Sequence, residues 1–103
     1  MNQILETKLT DIKELCRNYK VRELYAFGSV CTDRFDDQSD IDLLISFENI
    51  SIEEYTDNYF ALHDLFEELF HRPIDLLTER SLSNPYFIES LNKTKTLLYG
   101  NQD

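Results

Sequence analysis

Apolar residues in the first segment fall at Ile4, Leu5, Leu9, Ile12, Leu15, Cys16 and Tyr19. Steps of three and four make the stripe of an amphipathic helix. The pattern then changes. Val21–Phe27 (VRELYAF) is short, mostly apolar and followed by Gly-Ser, which predicts a buried strand. A short helical turn is expected within 30–35, and 36–39 is polar and loop-like. Ile41–Phe47 (IDLLISF) is apolar on nearly both faces, as a central strand covered on two sides would be. Ser51-Ile52-Glu53-Glu54 has the form of a capping box. Tyr55, Tyr59, Leu62, Leu65, Phe66, Leu69 and Phe70 continue from it as a long helical stripe. Residues 73–78 (PIDLLT) predict a third strand, with proline tolerated at its first position. Asn84-Pro85 opens a last helix over 85–92, and Thr96–Tyr99 closes against the core. The order αβ(α)βαβα is that of an α/β layered domain, one domain over residues 1–103.

Composition narrows the class. Hydrophobic residues are 42% and charged residues 29%, an ordinary globular balance. No apolar run approaches the roughly 20 residues that span a bilayer. Glu6 and Asp11 interrupt the first segment, unlike a secretory leader. A cytoplasmic protein without membrane contact is expected. Cys16 and Cys31 have no metal or redox spacing and are read as reduced thiols in apolar settings. A net charge of −10 argues against a long nucleic acid as the main ligand. It favours a basic protein partner, or small anions that arrive with a divalent cation.

Three places carry candidate chemistry. Gly28-Ser29 directly follows the first strand, where glycine lets backbone approach a ligand and N–H groups attract phosphate. A plain tight turn is the better explanation of an isolated Gly-Ser, but this chain has only two glycines and places one here, which shifts the weight. Asp40 and Asp42 flank Ile41 at the start of the second strand, and residues two apart on a strand share a face. Paired carboxylates are costly without a compensating cation, and hard ions such as magnesium take oxygen ligands. Asp75 lies in an apolar strand expected to be largely buried, either bound to metal or paired with Arg72. If the second and third strands are parallel, joined by the long crossover helix, Asp42 and Asp75 meet. For Gly28-Ser29 to join them, the first strand must run antiparallel to both, giving a mixed sheet.

The run GSVCTDRFDDQSDID is Gly-Ser, ten residues, then Asp-x-Asp. It resembles the signature of the DNA polymerase β-like nucleotidyltransferase superfamily. The flanks SDIDLLI, PIDLLT and TLLYG are similar to its minimal MNT-type members, the MntA-like antitoxins of HEPN/MNT modules. The resemblance runs from the first helix to Tyr99 and implies a single-domain nucleotidyltransferase fold, a small mixed sheet flanked by helices. It implies that Asp40, Asp42 and Asp75 are catalytic and bind two Mg2+ ions. It also implies that Gly28, Ser29 and Ser39 bind the nucleotide, with ATP as substrate. The acceptor implied is a tyrosine of a cognate HEPN-type toxin, in a homo- or hetero-oligomer. The chain departs from its relatives after Gly-Ser: Val30 and Thr32 stand where arginines are common, and Asp33 where glycine is. Arg34 is the nearest positive charge.

Other features point to packing. His63 and His71 have no carboxylate placed by spacing and read as surface or packing residues. The rings of Tyr55, Tyr59, Phe60, Phe66 and Phe70 read as core, with part left as a docking face. Two other functions stay open: an antitoxin that neutralises by contact alone, and transfer to a small molecule such as an aminoglycoside.

Overall fold

A computed structural model of the chain describes residues 2–100. The N-terminal stripe forms two helices, α1 (Gln3–Thr7) and α2 (Leu9–Asn18), where the spacing alone predicts one. Lys8 leaves helical geometry at φ −101°, ψ 3°, yet Leu5, Ile12 and Cys16 are buried on both sides of the break. The apolar rhythm therefore survives a kink that it cannot report. Strand β1 (Val21–Phe27) leads into a 3-10 turn at Gly28–Cys31, earlier than the expected 30–35. Then follow β2 (Ile41–Phe47), α3 (Ile52–Phe70), β3 (Ile74–Thr78), a second 3-10 turn (Glu79–Ser81), α4 (Pro85–Thr94) and β4 (Thr96–Tyr99).

The helix ends follow the chemistry of their residues. Ser51 Oγ accepts from Glu54 N at 3.2 Å to start α3. Asn84 Oδ1 accepts from Tyr86 N and Phe87 N, with Pro85 in the first helical position of α4. His71 stops α3 in the left-handed region, φ 55°.

The sheet runs β3-β2-β1-β4. β1 is antiparallel to β2 and to β4, and β2 is parallel to β3. This is the mixed sheet the converging site requires. The segment Thr96–Tyr99, expected only to close against the core, is a fourth strand on the far edge, paired with β1.

Strand alternation divides the sheet into two unequal faces. Leu24, Ala26, Ile41, Leu43, Ile45, Ile74 and Leu76 pack with Leu5, Ile12, Cys16, Leu62, Phe66 and Phe70 of α1, α2 and α3. The other face carries a smaller cluster, in which Phe27 and Leu44 meet Leu91 of α4, with Tyr25, Leu77 and Leu82 alongside. α4 packs on that part of the second face. Asp42 and Asp75 lie on the same face, one strand step from Leu44 and Leu77.

Candidate active site

The register sets the site. Phe27 pairs with Asp42 across β1 and β2, so Gly28 emerges beside Asp42. Across the parallel β2–β3 pair, Asp42 is the direct partner of Asp75. Asp40 lies one residue ahead of β2. Three of the expected acids therefore gather at the end of the sheet where β1 leaves and β2 and β3 begin. Asp40 and Asp75 are exposed and Asp42 is half-buried, so the site is an open shelf.

Gly28 has φ +71°, a conformation that L side chains rarely adopt. A Cβ built on it would lie 2.3 Å from Asp42 Oδ2. The missing side chain is what lets the turn close onto the carboxylate. Burial pushes the Asp42 carboxyl above its ordinary range, and the charges of Asp75 and then Asp40 push it in the same direction. A half-buried anion facing two more anions is a natural seat for a cation. The donor set is all carboxylate oxygen, as magnesium takes. The residues thus fit a hard divalent ion, with the glycine leaving open the space beside its central ligand.

Asp75 is exposed, contrary to the expectation of burial. Its strand is the sheet edge, with β2 on one side only, and the buried cluster beneath α4 is built on Phe27 and Leu44 of β1 and β2. The alternative pairing with Arg72 is also absent. Arg72 Nη1 instead donates to the carbonyls of Asp36 (3.0 Å) and Ser39 (2.9 Å), and its guanidinium lies 4.5 Å from the Phe35 ring centroid. Arg72 thus braces the loop that delivers Asp40. Sequence reasoning did not reach this role, because the contact joins positions 33 and 36 apart.

Ser29 sits in the 3-10 turn, with its carbonyl accepting from Thr32 N and Thr32 Oγ1, both at 2.9 Å. Four residues make a single tight turn. Attraction for phosphate there rests on individual N–H groups rather than on a long helix dipole. Ser39 lies in the loop below. Its Oγ accepts from Asp36 N and donates to Asp36 Oδ1, each at 3.1 Å, so its hydroxyl is already engaged in shaping that loop. On the other flank Phe87 of α4 packs edge-on to Phe27, centroids 6.0 Å apart. Tyr86 beside it is 83% exposed.

The tightest group of potential metal ligands among the described residues lies elsewhere: His63, Asp64 and Glu67. Carboxylate partners are therefore present at His63, where none was expected. Glu67 follows one turn later, at 3.6 Å from Nε2, and Asp64 Oδ1 is 3.3 Å from Nδ1. The two ring nitrogens face different carboxylates, however, and Nε2 also lies 3.1 Å from the Ile74 carbonyl. His63 and Glu67 are thus engaged with the backbone of Ile74, through Nε2 at its carbonyl and Oε2 at its N–H. His71 ends α3. Of the aromatic stripe, Phe66 and Phe70 are core, while Phe60 is 62% exposed.

Residues 10–103 match the family described as Polymerase beta, Nucleotidyltransferase. "Putative protein adenylyltransferase MJ0126" of Methanocaldococcus jannaschii is 32% identical, over 90% of this chain and 92% of its own. Among solved structures, a toxin–antitoxin crystal structure with AMP-PNP superposes at a TM-score of 0.70 and 22% identity, covering 91% of this chain and 74% of the other. A tri-AMPylated Shewanella oneidensis HEPN toxin in complex with an MNT antitoxin matches at a TM-score of 0.65 and 20% identity, covering 94% and 73%. At these identities the two structures establish the fold. Among the described residues, no helix is long and apolar enough to cross a membrane.

Proposed function

The chain belongs to the polymerase β nucleotidyltransferase family, and on that premise we propose that it moves AMP from magnesium-bound ATP to a hydroxyl, a tyrosine of a cognate HEPN-type toxin, and so acts as an antitoxin. The observation that carries the reading is the register pair Asp42–Asp75 with Gly28 closed against it. The relative described as a protein adenylyltransferase and the toxin–antitoxin folds support the substrate and the partner.

Asp40, Asp42 and Asp75 would hold a pair of magnesium ions. When bound, such ions neutralise charge on the attacking and leaving oxygens of a displacement at phosphorus. The other duties belong to the chain. Gly28 leaves room for the nucleotide phosphates to approach its backbone, and Ser29 lies in the same turn. Ser39 acts by shaping the loop that carries Asp40. In the transfer, the acceptor oxygen bonds to the α-phosphorus as the bond from that phosphorus to pyrophosphate breaks. Asp75, the most accessible partner in the register pair, takes up the acceptor's proton. The acceptor reaches an open shelf, which suits a side chain presented by another protein.

The test is the intact mass of a HEPN-type partner after incubation with this protein, ATP and magnesium. AMP added to the partner by the native chain but not by Asp42→Asn supports the proposal. A stable complex with no mass change would instead make the protein an antitoxin that acts by contact.

A further inference from the structure

β3 is an edge strand with β2 on one side only. In a parallel pair, alternate residues direct their backbone groups to the neighbouring strand, and the residues between direct theirs outward. Outward groups on an edge need other partners. Here the outward groups on both sides of Asp75 are met by side chains of α3. Glu67 Oε2 accepts from Ile74 N at 3.2 Å. His63 Nε2 lies 3.1 Å from Ile74 O, and because a carbonyl only accepts, that nitrogen carries the proton. Tyr59 OH donates to Leu76 O at 2.6 Å.

Tyr59, His63 and Glu67 follow one another at steps of four, one above the next along a single line of the helix. Leu62, Phe66 and Phe70 already anchor α3 to the sheet through apolar burial. The polar line is half-buried, and of its three members only Tyr59 also packs its ring against the apolar core. What it adds is direction, since it fixes three backbone groups of the two residues that flank Asp75. An exposed aspartate on an edge strand otherwise has only the β2 ladder to hold its backbone.

We propose that Tyr59, His63 and Glu67 are positioning residues that lock the β3 backbone around Asp75 and so aim its carboxylate at the ion shared with Asp42. The inference rests on the reading of Asp75 as a metal ligand given above.

The experiment follows Mn2+ binding to the full chain by the electron paramagnetic resonance signal of the free ion. It is paired with thermal unfolding and with hydrogen exchange at the amides of residues 74–76. Asp75→Asn should weaken Mn2+ binding; if it does not, the site assignment itself falls, and this inference with it. Given that loss, Tyr59→Phe keeps the ring, removes one hydrogen bond and supplies no ligand. It should still unfold cooperatively, exchange faster at 74–76, and bind Mn2+ roughly threefold to tenfold more weakly. His63→Leu should act alike, with His63→Gln restoring most of the affinity by returning an N–H donor. In the Asp75→Asn background, Tyr59→Phe should cost nothing further. A folded Tyr59→Phe variant that binds Mn2+ as tightly as the native chain would overturn the proposal. It would do so without reference to His63→Leu, should that variant fail to fold.

Discussion

Asp42 and Asp75 stand opposite one another in the parallel β2–β3 pair, their side chains on the same face of the sheet. No salt bridge to a protein cation is formed by either residue among the described residues. Burial and the like charges of its neighbours disfavour ionised Asp42. An arrangement that costs stability in the protein alone, yet is built into the sheet register, is the kind of strain that functional sites retain.

That strain has a measurable sign. The folded state binds the Asp42 proton more tightly than the unfolded state, so stability declines as pH rises from 3.8 through the raised folded value. At neutral pH the full penalty is present. Asp42→Asn, studied without divalent ions, should melt higher than the native chain at pH 7, and the difference should shrink as pH falls toward the usual carboxylate range. Magnesium should raise the native melting temperature and leave that of Asp42→Asn nearly unchanged. Calorimetry in both conditions reads this; a variant that melts lower at neutral pH would contradict it.

Gly28→Ala should harm both stability and the site. The backbone conformation alone costs an L residue roughly 1–2 kcal/mol, and the new methyl would meet Asp42 Oδ2 at 2.3 Å. Chemical denaturation should show a loss of at least about 1 kcal/mol. Nucleotide binding should fall by more than that loss of folded protein explains, because the carboxylate must move.

The two cysteines should separate cleanly. Burial raises the Cys16 thiol from 9.0 to about 12, whereas Cys31 is only half-buried, with Thr96 Oγ1 at 3.6 Å from its sulfur. The thiolate is the reactive form. A disulfide reagent at pH 8 should therefore titrate Cys31 quickly and Cys16 only on unfolding. The folded state also holds the Cys16 proton more tightly than the unfolded state. Its contribution to stability should therefore be lost as pH rises from 9.0 toward about 12.

Much of this arrangement is legible in the chain because it is repeated. IDLLISF and PIDLLT carry aspartate at the same place in an apolar strand, with a helical stripe between them long enough to return the chain. That is sufficient to predict a parallel pair and the meeting of Asp42 with Asp75. Other features depend on docking, which local pattern does not encode. Whether Asp75 is buried turns on where its strand sits in the sheet, and β3 is an edge. The four residues of β4 are too few to show a period. The kink at Lys8 leaves the spacing of apolar residues intact. Arg72 reads as a partner for Asp75 in sequence, but the Asp36–Ser39 loop comes within its reach and takes it. His63 reads in sequence as a surface or packing residue, and its contact with the Ile74 carbonyl depends on β3 being a sheet edge.

Isothermal titration of ATP into the purified chain, with and without magnesium, reads whether Asp40, Asp42, Asp75 and Gly28 form a metal–nucleotide site. Saturable binding that requires magnesium and is lost in both Asp42→Asn and Asp75→Asn is the expected result. Binding that is indifferent to magnesium, or that persists in both variants, would contradict it.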